Sequence, residues 1–240
     1  MKSSFKITLC CILAASIFAG VVCNMFGSAA VQTENGLPLV IIDAGHGGFD
    51  GGAVAEDGTT EKQLNLEISE KLKDVLTTYG FKTMLTRSSD RALTNGDEKS
   101  GSAAKTADLK KRVAIANANA DNAIFVSIHQ NKFESAKEKG FQVFYKNGNE
   151  SARLLAESIQ SSVCKSIQPQ NRRIAKTDNR KVFILENIKL PAVIAECGFI
   201  SNSEDLAMLK SDDSQFLIAF CIANGILEYC GNMETQSDSF

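Results

Sequence analysis

The sequence has no tryptophan, three prolines and only two histidines among 240 residues. It carries no internal repeat and no low-complexity tract. Its formal net charge of -2 lacks the basic excess of a nucleic-acid-binding surface, which argues against that class of partner. Seven cysteines are present, but Cys10, Cys11 and Cys23 fall within the first thirty residues. The remaining Cys164, Cys197, Cys221 and Cys230 include no CxxC pair and no dense framework. They are expected as buried or half-buried thiols, with a single bridge left open.

What is present is enough apolar content, 44%, to bury one sizeable core, so one main domain is expected. Residues 1–30 differ in kind. Lys2 and Lys6 precede an apolar run from Ile7 to Phe26, and Gly27, Ser28, Ala29 and Ala30 follow. This is the pattern of a secretory signal cleaved near Ala30. The run also approaches the roughly 20 residues that span a bilayer, so an uncleaved anchor is the alternative. Cys23 follows Val21 and Val22 where a lipoprotein signal has a small residue, which disfavours that reading. Either way, the main domain is expected outside the cytoplasm. Residues 31–37 read as a linker, 38–230 as the main domain and 231–240 as a polar tail.

Within the main domain, short apolar segments alternate with amphipathic ones. Strands are expected at Leu39 to Asp43, Phe81 to Thr86, Ala123 to Ile128, Phe141 to Tyr145, Val182 to Leu185 and Ala192 to Ala195. After Thr60, the residues Leu64, Ile68, Leu72, Val75, Leu76 and Tyr79 recur at three- and four-residue steps, which predicts a helix. Thr60 with Gln63 has capping-box spacing, and Gly80 is placed to end the helix. Further helices are expected at Thr106 to Asn119, Ser151 to Ser166 and Ser214 to Tyr229, and Ser88 to Lys105 reads as a surface excursion. The alternation predicts a three-layer α/β/α domain around a mostly parallel sheet of about six strands.

The first strand runs into a glycine-rich loop, LVIIDAGHGGFDGGAV. Neither phosphate template fits. In G-x-G-x-x-G the third glycine position falls on Asp50, and Gly52 is followed by Ala53 and Val54 instead of the Lys and Ser or Thr of a P-loop. A lone histidine such as His46 is more often structural than a ligand. His129, however, also ends a strand, AIFVSIH, and in open α/β sheets the functional crevice lies beyond such ends. Glu61 opens the helix after the loop, where it is either a third ligand or a carboxylate favoured by the helix dipole. Glu196 ends the last apolar strand, a costly place for a carboxylate unless it is paired or functional.

The segments VIIDAGHGGFDGGAV, EKQLNLEISEKL, FVSIHQN and PAVIAECGFISN, in this order, resemble the zinc-dependent N-acetylmuramoyl-L-alanine amidases (amidase type 3 family). The resemblance runs from about Leu39 to Tyr229. It implies one zinc ion per chain held by His46, Glu61 and His129, with Glu196 acting in catalysis. Two imidazoles and a carboxylate leave a fourth tetrahedral position open, as in catalytic zinc sites. Asp43 is a candidate second-shell group near His46, or a cap for the loop. Asn131 is a candidate donor to substrate, or a turn former, and Arg87 and Arg112 are expected in surface or structural ion pairs. The implied reaction is hydrolysis of the amide between N-acetylmuramic acid and the L-alanine of the stem peptide, with peptidoglycan as partner. A lone catalytic domain and the segment NRRIAKTDNRKVFILENIKLPA resemble the spore-cortex branch, in which this cut is the first step to muramic-δ-lactam. The expected setting is then the forespore intermembrane or cortex space, with contact to a membrane only through an uncleaved leader and with a regulatory partner left open. The alternatives are a vegetative wall-remodelling or cell-separation amidase, a non-catalytic peptidoglycan-binding module, and a zinc peptidase cutting within the stem.

Overall fold

The computed structural model describes residues 36–94 and 101–237. The expected leader, its cleavage point near Ala30 and the linker up to residue 35 lie outside the described residues. Along the chain come β1 (Leu39–Ala44), α1 (Glu61–Thr78), β2 (Thr83–Leu85), α2 (Ser102–Asn117), β3 (Ala123–Asn131) and β4 (Gln142–Tyr145). They are followed by α3 (Glu150–Ser166), β5 (Lys176–Thr177), α4 (Phe183–Asn187), β6 (Ala192–Phe199), α5 (Ser203–Lys210) and α6 (Asp212–Ser237).

The strands form one sheet in the order β2-β1-β3-β6-β4-β5. β2, β1, β3 and β6 are mutually parallel, whereas β4 runs antiparallel to β6 and β5 follows β4. Side chains alternate between the two faces of each strand. One face presents Val40, Ile42, Val126, Ile128, Val193 and Ala195 to a large core shared with α1, α3 and α6. The other presents Ile41, Phe125 and Ile194 to a smaller core closed by Ala116 of α2 and by Ile184 and Leu185 of α4. The asymmetry matters, because α4 is only five residues long. On its face the apolar cover protects the middle of the sheet. The next positions on that face are polar: Asp43 on β1, Ser127 and then His129 on β3, and Glu196 on β6.

α1 forms as its periodicity predicts, burying Leu64, Ile68, Leu72, Val75 and Leu76. It ends in a Schellman motif, with Gly80 at φ 88°. There the Phe81 N–H donates to the Leu76 carbonyl and the Gly80 N–H to the Thr77 carbonyl. That motif takes Phe81 away from β2, which therefore starts at Thr83. The capping box does not form: Thr60 makes no side-chain cap, and Gln63 bonds Glu67 on the exposed side instead. α6 is long and apolar enough to cross a membrane, yet Ile218, Ile222 and Ile226 are fully buried in the large core. It is a core helix, and it continues to Ser237, into the segment expected as a polar tail.

Three further elements differ from expectation. Val182 to Leu185 is not a strand; the chain enters α4 there, with the Val182 carbonyl accepting from Glu186 N–H at 3.1 Å. Four apolar residues fit either period, and the buried side of the turn is Ile184 and Leu185. The sixth strand is instead the two-residue β5. The Ser88 to Lys105 excursion is also shorter than expected, since α2 already begins at Ser102. Residues 95–100 lie outside the described part. α5 was not anticipated, although ISNSEDL carries a cap signal: the Asn202 side chain accepts from Glu204 N–H and Asp205 N–H, both at 3.0 Å. All four cysteines of the main domain are free thiols.

Asn202→Ala removes this cap and is expected to lower the unfolding free energy by about 1–2 kcal/mol in urea titration, with Asn202→Ser retaining most of it. An unchanged midpoint for Asn202→Ala would mean that packing alone holds α5.

Candidate metal centre

The site is assembled where the glycine loop, the start of α1 and the ends of β3 and β6 meet. His46 stands at φ 61°, in the left-handed region that non-glycine residues rarely adopt. The segment from Gly47 to Thr60 then brings the chain round to α1, where the Glu61 N–H donates to the Ala53 carbonyl at 2.8 Å. Two glycines permit the crowding. A Cβ on Gly45 would lie 2.3 Å from Nε2 of His129, and one on Gly52 would lie 2.5 Å from Oε2 of Glu61.

His46, Glu61 and His129 converge, each offering one donor atom within 4.8 Å of the others. His46 Nε2 is 3.2 Å from Glu61 Oε2, and His129 Nδ1 is 2.9 Å from Glu61 Oε1. A tetrahedral zinc ion with bonds of about 2.0–2.2 Å needs donors roughly 3.3–3.6 Å apart. Two nitrogens and one carboxylate at this spacing therefore fit a metal site. Glu61 is nearly buried and is held from behind by backbone: Ala53 N–H donates to Oε2 at 2.8 Å and Gln130 N–H to Oε1 at 3.1 Å. Burial by itself raises the Glu61 pKa, but the bonds to His129 and His46 outweigh it and hold the carboxyl well below its usual range.

Residues behind the triad were less legible in sequence. His46 Nδ1 bonds Asp50 Oδ2 at 2.9 Å, leaving Nε2 towards Glu61. This is the carboxylate–histidine pairing that orients a metal-binding ring. Asp50 appears in the sequence only as a residue that breaks a phosphate template; its place four residues after a candidate ligand was the signal. Asp43 does not touch the His46 ring. It is fully buried and accepts from Thr86 Oγ1 (2.7 Å), Ser127 Oγ (2.6 Å) and Arg112 Nη1 (2.5 Å). Arg112 in turn donates to the Ala44 carbonyl (2.8 Å), the His46 carbonyl (2.7 Å) and Asp108 (2.6 Å). Arg87 donates to the carbonyls of Ala44, Gly45 and Lys62. Both arginines are 1% exposed, so neither is a surface residue. Arg112 forms the structural ion pair expected of it, whereas the bonds of Arg87 go to backbone carbonyls. Asn65, fully buried on α1, donates to the Gly45 carbonyl at 3.1 Å and accepts from Gln130 Nε2 at 3.1 Å.

Glu196 reaches the site by sheet register. It stands opposite His129 in the β3–β6 pairing and opposite Gln142 in the β6–β4 pairing. It is buried, and among the described residues its Oε2 has no hydrogen-bond partner. Burial, reinforced by the negative charge of Glu61, pushes its pKa above the ordinary carboxylate value. Asn131 lies just past a register shift at the end of β3, and its Oδ1 accepts from Lys132 N–H at 3.0 Å. Its carbonyl thus serves a local turn, and only its Nδ2 is left for a donor role.

A family model described as N-acetylmuramoyl-L-alanine amidase matches residues 40–228. Bacillus subtilis YqiI, described as an uncharacterized protein, is 39% identical over 193 residues, which span 79% of this chain and 84% of YqiI. The germination-specific N-acetylmuramoyl-L-alanine amidase of Bacillus subtilis is 31% identical over 191 residues, 80% of this chain and 79% of the relative. The structure of the CwlD amidase from Clostridioides difficile, solved in complex with the GerS lipoprotein, has a TM-score of 0.77 at 34% identity. That similarity covers 81% of this chain and 98% of the other.

Two measurements test the metal centre. Asp50→Asn is expected to weaken zinc binding about 10–100-fold in chelator competition, because the His46 ring loses its orienting partner. The second concerns pH. Burial lowers the His46 pKa, but Asp50 and Glu61 outweigh it and hold the metal-free ring protonated up to about 9. A proton must leave before Nε2 can bind metal, so zinc affinity should rise with pH throughout the range below about 9 and level off above it. An affinity that stays flat across that window would speak against His46 as a ligand.

Proposed function

The chain belongs to the N-acetylmuramoyl-L-alanine amidase family of zinc-dependent cell-wall hydrolases, and from that premise we propose that it cuts the muramic acid–L-alanine amide of spore-cortex peptidoglycan. The observation that carries the catalytic assignment is the unpartnered, buried Oε2 of Glu196 beside the His46–Glu61–His129 triad.

In this reading His46, Glu61 and His129 hold the zinc ion. When bound, zinc supplies a Lewis acid that acidifies a water molecule and polarises a carbonyl. Glu196 does the proton work. A carboxylate whose pKa is raised by burial is a better base than a solvated one, and it can return the proton to the leaving amine. Its lack of internal partners leaves Oε2 ready for the proton of the attacking water. Glu61, held down by two imidazoles and two backbone donors, is unsuited to that role. Arg112, Arg87 and Asp43 fix the carbonyls of the glycine loop, so the His46 ring need not reorganise when substrate binds. Asn131 Nδ2 is the donor proposed to meet the substrate.

The cortex assignment is supported by the similarity to the germination-specific amidase and to CwlD. CwlD was solved with a lipoprotein partner, and a regulatory partner of that kind is proposed here as well. Family membership places the work outside the cytoplasm, and residues 1–30 are proposed to direct the export or to anchor the chain. All four residues of the triad and base are present, which weighs against a binding module that has lost catalysis.

The deciding experiment is digestion of spore-cortex and vegetative peptidoglycan side by side, followed by mass spectrometry. Free stem peptides with intact glycan strands, released faster from cortex, are expected. Cut stems would indicate a peptidase, and preference for vegetative wall would favour the remodelling alternative. Glu196→Ala should keep its zinc yet lose at least about 100-fold in rate, and substantial remaining activity would remove it as the base. His129→Ala should lose bound metal, measured by metal analysis, since two ligands hold zinc poorly.

A further inference from the structure

Beyond β4, on the same face of the sheet as Glu196, one cation is held out towards solvent. Arg180 has a side chain 60% exposed, yet it is fixed at three points. Its Nε donates to Asp178 Oδ1 at 3.1 Å, its own N–H donates to the same oxygen at 3.2 Å, and its guanidinium lies 5.2 Å over the Phe144 ring. Asp178 is itself buried, with a side chain 2% exposed. Its Oδ2 accepts from Val182 N–H at 2.6 Å, and its N–H is tied to the Tyr145 carbonyl at the end of β4. Lys181 completes the turn at φ 55°. A buried carboxylate, a stacked ring and a left-handed residue together hold an arginine whose two Nη groups have no partner among the described residues. Surface arginines are ordinarily mobile, and this degree of constraint suits recognition of a ligand.

Its position relative to the site follows from register. Phe144 pairs with Ile194, two residues before Glu196 on β6. Phe144, over whose ring the guanidinium lies, is therefore one strand over and about 6–7 Å back along the sheet from the proposed base. Burial is the main influence on Glu196, but Arg180 is among the cations that favour its ionised form. Glu196 hands its proton to the departing amine, so the stem peptide leaves on the Glu196 side of the triad, towards β4 and Arg180. The second residue of a stem peptide is D-glutamate, linked onward through its side chain, so its α-carboxylate is free. That carboxylate stands roughly 6 Å from the departing nitrogen, one Cα–Cα step plus the carboxyl group.

We propose that Arg180, held by Asp178 and Phe144, binds the α-carboxylate of the second stem residue and makes the enzyme selective for stems in which it is not amidated. This rests on the amidase reading above. Arg180 presents two parallel N–H donors to a carboxylate, and an amide cannot accept at both positions. The probes are glycan strands carrying L-alanyl-D-glutamate stems, and the same strands with the α-carboxyl amidated, cut by the zinc-loaded full chain. Wild type is expected to favour the carboxylate form roughly tenfold in kcat/KM. In Arg180→Gln the preference should collapse to about unity, with the loss in KM and not in kcat, and Arg180→Lys should recover part of it. Equal wild-type rates on the two substrates would overturn the proposal, as would a tenfold preference that survives in Arg180→Gln. If wild type releases no stem peptide from either strand, the amidase reading itself fails.

Discussion

Two buried guanidinium groups hold the loop on which the whole site depends. Arg112 and Arg87 together accept the task that a strand or helix would otherwise perform for Ala44, Gly45 and His46, by donating to their carbonyls. A buried cation is costly unless it is paired. Arg112 meets that condition with Asp43 and Asp108, and Asp43 is satisfied in its turn by Thr86 and Ser127. The consequence is a rigid irregular segment at the end of β1. His46 can then sit in an uncommon backbone region, because its neighbours leave it no alternative.

The sheet supplies the second half of the site by arithmetic of register. His129, Glu196 and Gln142 stand side by side on three adjacent strands, all facing away from the large core. A one-residue slip of β6 would turn Glu196 into that core and bring Cys197 to the crevice. The antiparallel course of β4 matters as well. It carries Phe144 back beside Ile194, so that the turn after β5 overhangs the same face as Glu196. The short α4 leaves that region uncovered by helix.

Much of this was legible in sequence where residue type and local position carry the information. His129 and Glu196 stood out because each ends an apolar strand. His46 and Glu61 read alone as ordinary loop and helix-start residues and were joined to them by the resemblance. The structure does bring the four together. α1 was plain because eighteen residues sample the helical period several times over. The four apolar residues of Val182 to Leu185 sample it barely once, and their helical state is set by Asp178 receiving the Val182 N–H. Asp50 was passed over, and Arg87 and Arg112 were left between surface and structural pairs, for a common reason. Many of their partners are backbone carbonyls or a ring nitrogen brought near by the folded loop, and a backbone carbonyl has no letter in a sequence. Asp43 was placed near His46 or as a cap for the loop, and only the structure shows the route, through Arg112 to the His46 carbonyl.

The two glutamates of the site show how one fold can suit the same side chain to the opposite duties proposed for them. Both are nearly buried, at 4% and 8% exposure, so desolvation pushes both towards the neutral form. At Glu61 the sum reverses, because two imidazoles and two backbone N–H groups favour the charge. At Glu196 nothing reverses it, and the anion next door adds to the rise. A ligand must stay ionised and still, whereas a proton carrier must change state within one turnover. Partner count, more than burial, separates those roles here. Extra donors brought to Glu196 would make it a better ligand and a poorer base, which gives a physical reason for its bare surroundings.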